Sequence, residues 1–455
     1  MQGWLTAALD YIPRWLEHQM RLSEQPGCAI AVAYRGRVVL ERAFGHANLR
    51  TGELLTPRHR FRVASHSKTF TAAGILKLRE ADRLRLDDPV GRYVDGLHPK
   101  VAAATIGQLL SHSAGLIRDG LDAGQWQDRR PYLDEAELRA ALAEPPVLPA
   151  GSRFKYSNHG FGLLGLAIER VTGKPYREWI ARNVVARAGL QETVPDMPVP
   201  AGAPMVGGHS GKLPLGRRLV VPGTNDTRAL SSATGFVSTA GDLARFFAGL
   251  DPAARRSVLS PESRREMVRR HWHEEHSSLA RHYGLGTILG RVGDWEWFGH
   301  AGGFQSCISR TVVLPGRDLA VSVLTNAVDG YAHQWSDGAV HILRGFAKRG
   351  APTAKTRDWA GRWWGLWGST DLVPMRDHVL ICTPNLVNPF LDAGEIAVTG
   401  PDAGTIRLAG GFANHGETAR LVRDGDGKVA EVWLGGGKWL PEAAMAAEMV
   451  RRYEG

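Results

Sequence analysis

A mostly apolar helix that carries a serine and a lysine in its first turn needs a folded domain around it. Such a helix is written at residues 63–78 of this 455-residue chain. Val63-Ala64-Ser65-His66-Ser67-Lys68-Thr69-Phe70 runs into Thr71-Ala72-Ala73-Gly74-Ile75-Leu76-Lys77-Leu78, which has too little charge to face water along its length. Ser65 and Lys68 are three residues apart, so a helix places them on one face, within reach of each other. Ser65 falls at the expected helix start, where free N–H groups and the dipole favour developing negative charge. A serine hydroxyl is a poor nucleophile until a base takes its proton, and a desolvated lysine can be that base. Alone, Ser-x-x-Lys is a common tetrapeptide, and its plain reading is an N-cap serine with a solvated lysine. The remaining residues decide between the two.

The chain is too long for one ordinary core, which predicts two domains. Apolar residues make up 43% and charged residues 22%, the balance of a soluble globular protein. The net charge of +10 is spread in pairs such as Arg129-Arg130, Arg217-Arg218, Arg264-Arg265 and Arg451-Arg452. No long basic run forms, so the charge is read as solubility and nucleic acid is not an expected partner. Cys28, Cys307 and Cys382 are scattered and odd in number, which fits a reducing compartment and offers neither a disulfide framework nor a metal pattern. The N-terminus lacks a basic head and an unbroken apolar stretch. Leu5, Leu9, Ile12 and Leu16 instead space out an amphipathic helix with a kink point at Pro13. With no segment apolar enough to span a membrane, a cytoplasmic protein without a membrane partner is expected.

Along the chain, Cys28–Tyr34 and Arg37–Leu40 flank Arg35-Gly36 and predict a β-hairpin. After the Ser65 helix, residues 83–95 read as a loop, Thr105–Leu110 as a helix ending in Ser111-His112-Ser113-Ala114-Gly115, and 134–143 as a helical piece. An apolar run follows from Phe161 to Ile168. Residues 195–225, rich in Pro and Gly, predict a long loop that could wall a site. Thr239–Leu250 is helical. Trp295–Gly303 leads into two strands, Cys307–Leu314 and Leu319–Thr325, and a helix at about 332–349 ends the domain. Strands early, helices in the middle and strands late predict an α+β domain, with an antiparallel sheet drawn from both ends and helices packed on it. We therefore expect domain one at 1–349, a linker at 350–357, and a small all-β barrel at 358–455, where short alternating strands are separated by turns such as Asp424-Gly425-Asp426-Gly427. The tryptophans at 359, 363, 364, 367, 433 and 439 read first as barrel core and second as a substrate wall.

Two further groups can complete a site. Tyr156-Ser157-Asn158 stands at a loop-to-helix junction. A tyrosine beside a lysine ammonium loses its proton more readily and relays protons, and an amide can orient both a substrate amide and the lysine. His300-Ala301-Gly302-Gly303 is expected just before a strand. There glycines let a substrate lie along the strand edge, and the Gly303 N–H could join the Ser65 N–H as an oxyanion hole. Two look-alikes fail. His271-Trp272-His273-Glu274-Glu275-His276 is not H-E-x-x-H, because Ser277 stands where the second histidine is needed. Gly207-Gly208-His209-Ser210-Gly211 is not G-x-S-x-G, because Lys212 stands in the last position.

Ser65-His66-Ser67-Lys68, Tyr156-Ser157-Asn158 and His300-Ala301-Gly302, in that order, resemble the S-x-x-K, Y-x-N and K-T-G or H-x-G motifs of the serine β-lactamase and penicillin-binding-protein superfamily, especially its class C β-lactamase-like branch. The similarity covers roughly residues 20–349, helped by Leu109–Leu116 and Gly235–Thr239. It implies a β-lactamase/transpeptidase-like domain with Ser65 as nucleophile, Lys68 and Tyr156 as proton handlers and Asn158 as substrate orienter. His300 would take the third-motif position, with Gly302 and Gly303 at the oxyanion edge, and no metal or cofactor. Where carboxylate-binding members carry lysine, this chain has His300, mostly neutral near pH 7. That points away from β-lactam and C-terminal-carboxylate substrates. It is similar to D-aminopeptidases, some esterases and penicillin-binding-protein-type thioesterases that cyclise nonribosomal peptides, several of which also carry a C-terminal lipocalin-like barrel. The expected activity is serine acyl transfer on a small peptide-like substrate, free or as a carrier-linked thioester, with a D-residue at the scissile acyl group. A carboxylesterase, a weak β-lactamase and a non-catalytic scaffold of the same fold are the competing readings. Nothing in the sequence sets an oligomeric state.

Overall fold

The computed structural model describes residues 2–278 and 281–454. The N-terminal hairpin forms as expected. Strand β1 (Gly27–Tyr34) turns through Arg35 and Gly36, with φ of 52° and 74°, into β2 (Arg37–Asn48). Two successive positive φ values make the tight turn whose twist matches that of paired strands. With β3 (Glu53–Leu54), β4 (Trp272–His273), β5 (His282–Tyr283), β6 (Ile288–Val292), β7 (Trp295–Phe304), β8 (Cys307–Leu314) and β9 (Leu319–Thr325), these strands form one nine-stranded sheet. Its order is β3-β2-β1-β9-β8-β7-β6-β5-β4, antiparallel throughout. The first and last parts of the domain meet at its centre, where β1 pairs with β9 from Cys28↔Thr325 to Tyr34↔Leu319. Both central strands are buried over nearly their whole length, so they read as apolar runs and not as alternations.

One expectation is refined. His300-Ala301-Gly302-Gly303 does come just before the expected strand β8, but it is itself inside a strand, β7, paired with β8 from Phe298↔Val313 to Phe304↔Cys307. Two glycines weaken local strand propensity, and cross-strand pairing supplies what the local sequence lacks.

Helix α1 (Gly3–Ser23) buries Leu5, Leu9, Ile12 and Leu16 and continues through Pro13. Helix α2 (His66–Glu80) begins at Ser65 and is buried on almost every side. Side-chain caps start the helices around it. Thr105 and Gln108 form a reciprocal capping box on α3 (Ile106–Leu110), and Asp134 and Glu137 form another on α4 (Glu135–Leu142). Ser157 Oγ accepts the Gly160 N–H at 2.9 Å to open α5 (Asn158–Thr172). Helix α6 (Ala240–Ala248) lies on β1, β8 and β9, while α2 packs on α5 and on β7. The expected loop 195–225 contains one short pair of strands, Gly208–His209 with Val220–Val221. Among the described residues no helix is long and apolar enough to cross a membrane.

The chain packs as two compact units that do not divide at residue 350. Residues 25–336 form one, and residues 1–24 with 337–455 form the other, so α7 (Ala332–Arg349) runs through the division. In the second unit α1 is held by the Tyr11 hydroxyl on Asp371 at 2.8 Å, the Trp15 indole N–H on the Leu386 carbonyl at 3.2 Å and the Gln19 amide on the Pro384 carbonyl at 2.6 Å. Residues 350–357 are likewise tied down, with the Thr356 hydroxyl donating to the Arg376 carbonyl at 2.7 Å.

Eight strands follow as an antiparallel meander: β10 (Gly361–Gly365), β11 (Gly368–Met375), β12 (His378–Cys382), β13 (Gly394–Gly400), β14 (Ala403–Leu408), β15 (Thr418–Arg423), β16 (Val429–Leu434) and β17 (Gly437–Trp439). A bridge between Trp364 and Leu440 nearly closes them into a barrel. Trp359 and Trp363 fill its core as read, whereas Trp367 is 98% exposed at a hairpin tip. The sequence pattern misses β10, β11 and β17. It also misses a final helix, α8 (Glu442–Tyr453), which buries only Met445 and so shows little apolar spacing. Strand β11 is hidden by its buried Asp371, a residue strands usually avoid, which Arg362 satisfies with two hydrogen bonds at 2.7 and 2.8 Å.

Candidate active site

Backbone contacts from distant residues pin the Ser65 segment. The Val63 N–H donates to the Phe236 carbonyl at 3.0 Å, and Ser67 Oγ accepts the Phe236 N–H at 2.9 Å while donating to Ala64 O at 2.5 Å. Ala64 is held at φ 44°, in the left-handed region that residues with a Cβ seldom enter. Such strain persists only where the surroundings over-determine it. It turns the chain into α2 and leaves Ser65 at the helix start, partly accessible, with its N–H on no protein acceptor among the described residues.

Lys68 is fully buried one turn on. Its Nζ lies 2.7 Å from Asn158 Oδ1, 2.8 Å from Ala233 O and 3.1 Å from Ser65 Oγ. Burial pushes its ammonium well below the ordinary 10.5; Asp119 pulls it part of the way back and Arg118 lowers it. A neutral amine has two N–H donors and one lone pair. The amide oxygen of Asn158 and the Ala233 carbonyl can only accept, so in the neutral amine they take the two N–H groups and leave the lone pair for Ser65 Oγ. Because only the neutral amine can take a proton, the acid limb of Ser65 reactivity should lie well below pH 10.5. Fluorophosphonate labelling followed against pH checks this, and a rate still climbing log-linearly toward pH 10.5 would contradict it.

Tyr156 donates its hydroxyl to Ser65 Oγ at 2.9 Å, and Lys68 Nζ sits 4.8 Å from its ring centre. The expectation that a lysine ammonium would ease the phenol's proton off is corrected. Burial raises the Tyr156 pKa above its ordinary 10.0, outweighing the lowering by the Ser65 hydrogen bond and Arg118, and the same burial disfavours the charged form of the neighbouring lysine. Tyr156 is thus held as a proton donor. Asn158 turns its oxygen to Lys68 and its NH₂ to Asp119 Oδ1, at 2.6 Å.

The third group sits differently from the first two. His300 is 2% exposed, with Nδ1 2.7 Å from the Ala301 carbonyl and Nε2 2.9 Å from the Tyr283 hydroxyl. Nδ1 also takes the Ala301 N–H at 3.0 Å, so that residue's carbonyl and N–H compete for the two ring tautomers, and the Tyr283 hydroxyl can pair with Nε2 in either. Burial, then His66 and Lys68, push the His300 pKa well below 6.5, so the ring is neutral, as the motif departure implied. Its hydrogen bonds do not reach Ser65, Lys68 or Tyr156; Tyr283 links them, its ring 6.4 Å from that of Tyr156. Gly302 meets the Ser65 segment directly, since a Cβ there would lie 2.1 Å from Val63 O. Gly303 is open, its nearest neighbour Ile308 Cδ1 at 3.6 Å. Counting back from the Phe304↔Cys307 pair that closes the hairpin, alternation turns the Gly303 N–H away from β8, and β6 ends its pairing at Gly299.

Four groups here have no signal in the local sequence: Asp119, Trp126, Tyr283 and the Ala233 carbonyl. His112 had one, in the stretch Ser111–Gly115. It is buried against the Tyr156 ring at 4.1 Å and the Tyr283 ring at 4.7 Å, and its Nδ1 accepts the Ser157 N–H at 3.1 Å.

Ser65 and Lys68 thus open a buried helix packed on the sheet, and Tyr156 reaches the same serine from the junction before α5. Residues 12–340 match the family model described as Beta-lactamase, and the chain belongs to that family. Among curated proteins it is similar to Protein flp of Staphylococcus aureus (strain N315), 28% identical over 176 residues, 38% of this chain and 35% of that one. It is also similar to Esterase EstB of Burkholderia gladioli, 28% identical over 203 residues, 41% of this chain and 51% of that one. The chain therefore spans only about a third to a half of the length of these relatives. Among solved structures, the octameric penicillin-binding protein homologue from Pyrococcus abyssi shares the fold over 95% of this chain and 99% of its own, with a TM-score of 0.67 and 22% identity. A D-stereospecific amidohydrolase from Streptomyces sp. matches over 73% of this chain and 97% of its own, with a TM-score of 0.60 and 25% identity.

Proposed function

We propose that this protein is a serine acyl-enzyme hydrolase or acyltransferase acting on small peptide-like substrates with a D-residue at the scissile acyl group. The observation that carries the reading is the convergence on Ser65 Oγ of Lys68 Nζ at 3.1 Å and the Tyr156 hydroxyl at 2.9 Å, a base and an acid on one nucleophile. Ser65 attacks the carbonyl carbon and its proton passes to the Lys68 lone pair. The oxyanion is held by the N–H groups of Ser65 and Gly303. As the tetrahedral species collapses, Tyr156 protonates the departing nitrogen, oxygen or sulfur, and the proton on Lys68 is relayed to it. Water, or a substrate amine, then attacks the ester by the reverse sequence. A neutral His300 leaves the site without the lysine that holds a substrate carboxylate, which supports amides, esters and thioesters over β-lactams. The D-stereospecific amidohydrolase among the structural neighbours supports the stereochemistry, and Esterase EstB supports the esterase alternative.

The test is a panel of D- and L-aminoacyl p-nitroanilides, short-chain p-nitrophenyl esters, nitrocefin and a peptidyl thioester, each with and without an added amine. A D-aminoacyl substrate should give the highest kcat/KM, and product aminolysis would mark the acyltransferase branch. Nitrocefin turnover above all other members would refute the substrate reading.

A further inference from the structure

We infer that Asp119 is a positioning residue for acyl transfer, locking the Asn158 amide in the one orientation that leaves the Lys68 lone pair on Ser65. The inference rests on the acyl-enzyme reading above. Asp119 is 6% exposed, and its Oδ1 accepts two donors, Asn158 Nδ2 at 2.6 Å and Trp126 Nε1 at 2.9 Å. Its Oδ2 lies 3.4 Å from Arg118 Nε. An ionised carboxylate only accepts, so the Asn158 edge that faces it must be the NH₂, and the oxygen is thereby directed to Lys68 Nζ at 2.7 Å. The reversed amide would aim an N–H at that nitrogen and consume the lone pair that Ser65 needs. The side-chain bonds of Asn158 run to these two groups, so Asp119 sets the choice. The same loop grips the start of α5 a second time, because the Asn158 N–H donates to the Arg118 carbonyl at 2.9 Å.

Asp119 also acts through its charge. Lys68 faces Ser65 on its own helix, Tyr156 and Asn158 from the α5 junction, Arg118 and Asp119 from the loop, and the polar rings of His112 and His300 beyond them. Asp119 itself faces Arg118, Trp126, Asn158 and the His159 and Tyr156 rings. It is the anion that raises the Lys68 pKa, so removing its charge must lower that pKa further. The acid limb of Ser65 reactivity then moves to lower pH, a shift in the opposite sense to the loss of rate.

The experiment follows Ser65 labelling by a fluorophosphonate against pH in the full chain. Ser65 O attacks phosphorus, fluoride leaves and the serine proton goes to Lys68, so no substrate need be known. Wild type is measured first, and failure to label there overturns the acyl-enzyme reading itself. Asp119→Asn should label at least about tenfold more slowly, as expected for a displaced catalytic group, with its acid limb moved to lower pH. In an Asn158→Ala background the same change should add little further slowing, because the two act as one unit. Asp119→Glu keeps the charge, so its limb should stay at the wild-type position while the rate falls less. This second variant serves if Asp119→Asn does not fold. A residue that merely braced the loop would lower the melting temperature without moving the limb. Wild-type rate and limb in Asp119→Asn, or full multiplicative slowing in the Asn158→Ala background, would overturn the inference while leaving the acyl-enzyme reading intact.

Discussion

Replacing Ser65 by alanine should abolish covalent labelling and turnover while leaving the fold in place. The Ser65 side chain bonds to Lys68 Nζ and the Tyr156 hydroxyl, and neither contact holds one element to another that is not already pinned by the Val63, Ser67 and Phe236 bonds. Only the bond-forming atom is lost. Lys68→Ala removes the base, and acylation should slow by about two to four orders of magnitude, the usual worth of a positioned general base. It also strands two buried acceptors, Asn158 Oδ1 and Ala233 O, so some loss of stability should accompany it. Intact-mass detection of the labelled serine and a thermal melt read the two effects separately. Residual turnover in folded Ser65→Ala would end the mechanism.

The second large effect is expected one strand away, at two adjacent glycines that should behave oppositely. In Gly302→Ala the new Cβ would lie 2.1 Å from Val63 O and 2.9 Å from Val63 C, both backbone atoms. Neither is the loose end of a side chain, so the Val63–Ser65 segment, already strained at Ala64, has to move. Overpacking of this kind costs about 1–3 kcal/mol. Displacing a nucleophile by about 1 Å costs about a hundredfold in rate. Gly303→Ala meets only Ile308 Cδ1, at 3.6 Å, an ordinary contact. It should melt like wild type and keep its backbone N–H. The comparison is kcat/KM and melting temperature for the two variants side by side. Equal behaviour would mean that the close approach of β7 to the Ser65 segment does not govern the site.

The elements that were legible in the chain are those whose signal is local. Arg35-Gly36 turns a hairpin, and Thr105 with Gln108 caps a helix within four residues. Cys307–Leu314 and Leu319–Thr325 are apolar runs with a turn between them. Elements with a mixed local signal were lost. The glycines of β7 hid a strand, Asp371 hid β11, and an alanine-rich final helix with one buried methionine showed no apolar face. The grouping of α1 with the barrel was also invisible, because its apolar stripe says that it is buried but not against what.

The candidate site divides along the same line. Spacing alone put Ser65 and Lys68 on one helical turn, and motif order joined Tyr156, Asn158 and His300 to them, because residue type and separation along a helix are properties of the chain. What those groups can do was decided by the tertiary structure. Burial penalises the charged forms of both Lys68 and Tyr156, and the groups that surround them, among them His112, Asn158 and Ala233, come from segments far from one another in the chain. In its neutral form Lys68 has its lone pair left for Ser65, because Asn158 and Ala233, from two other segments, accept its N–H groups. His300 hydrogen-bonds Tyr283 and not the nucleophile, in a position that the pairing of its strand with β8 fixes. A protonation state is the difference between water and a particular set of neighbours, and only the folded chain assembles that set.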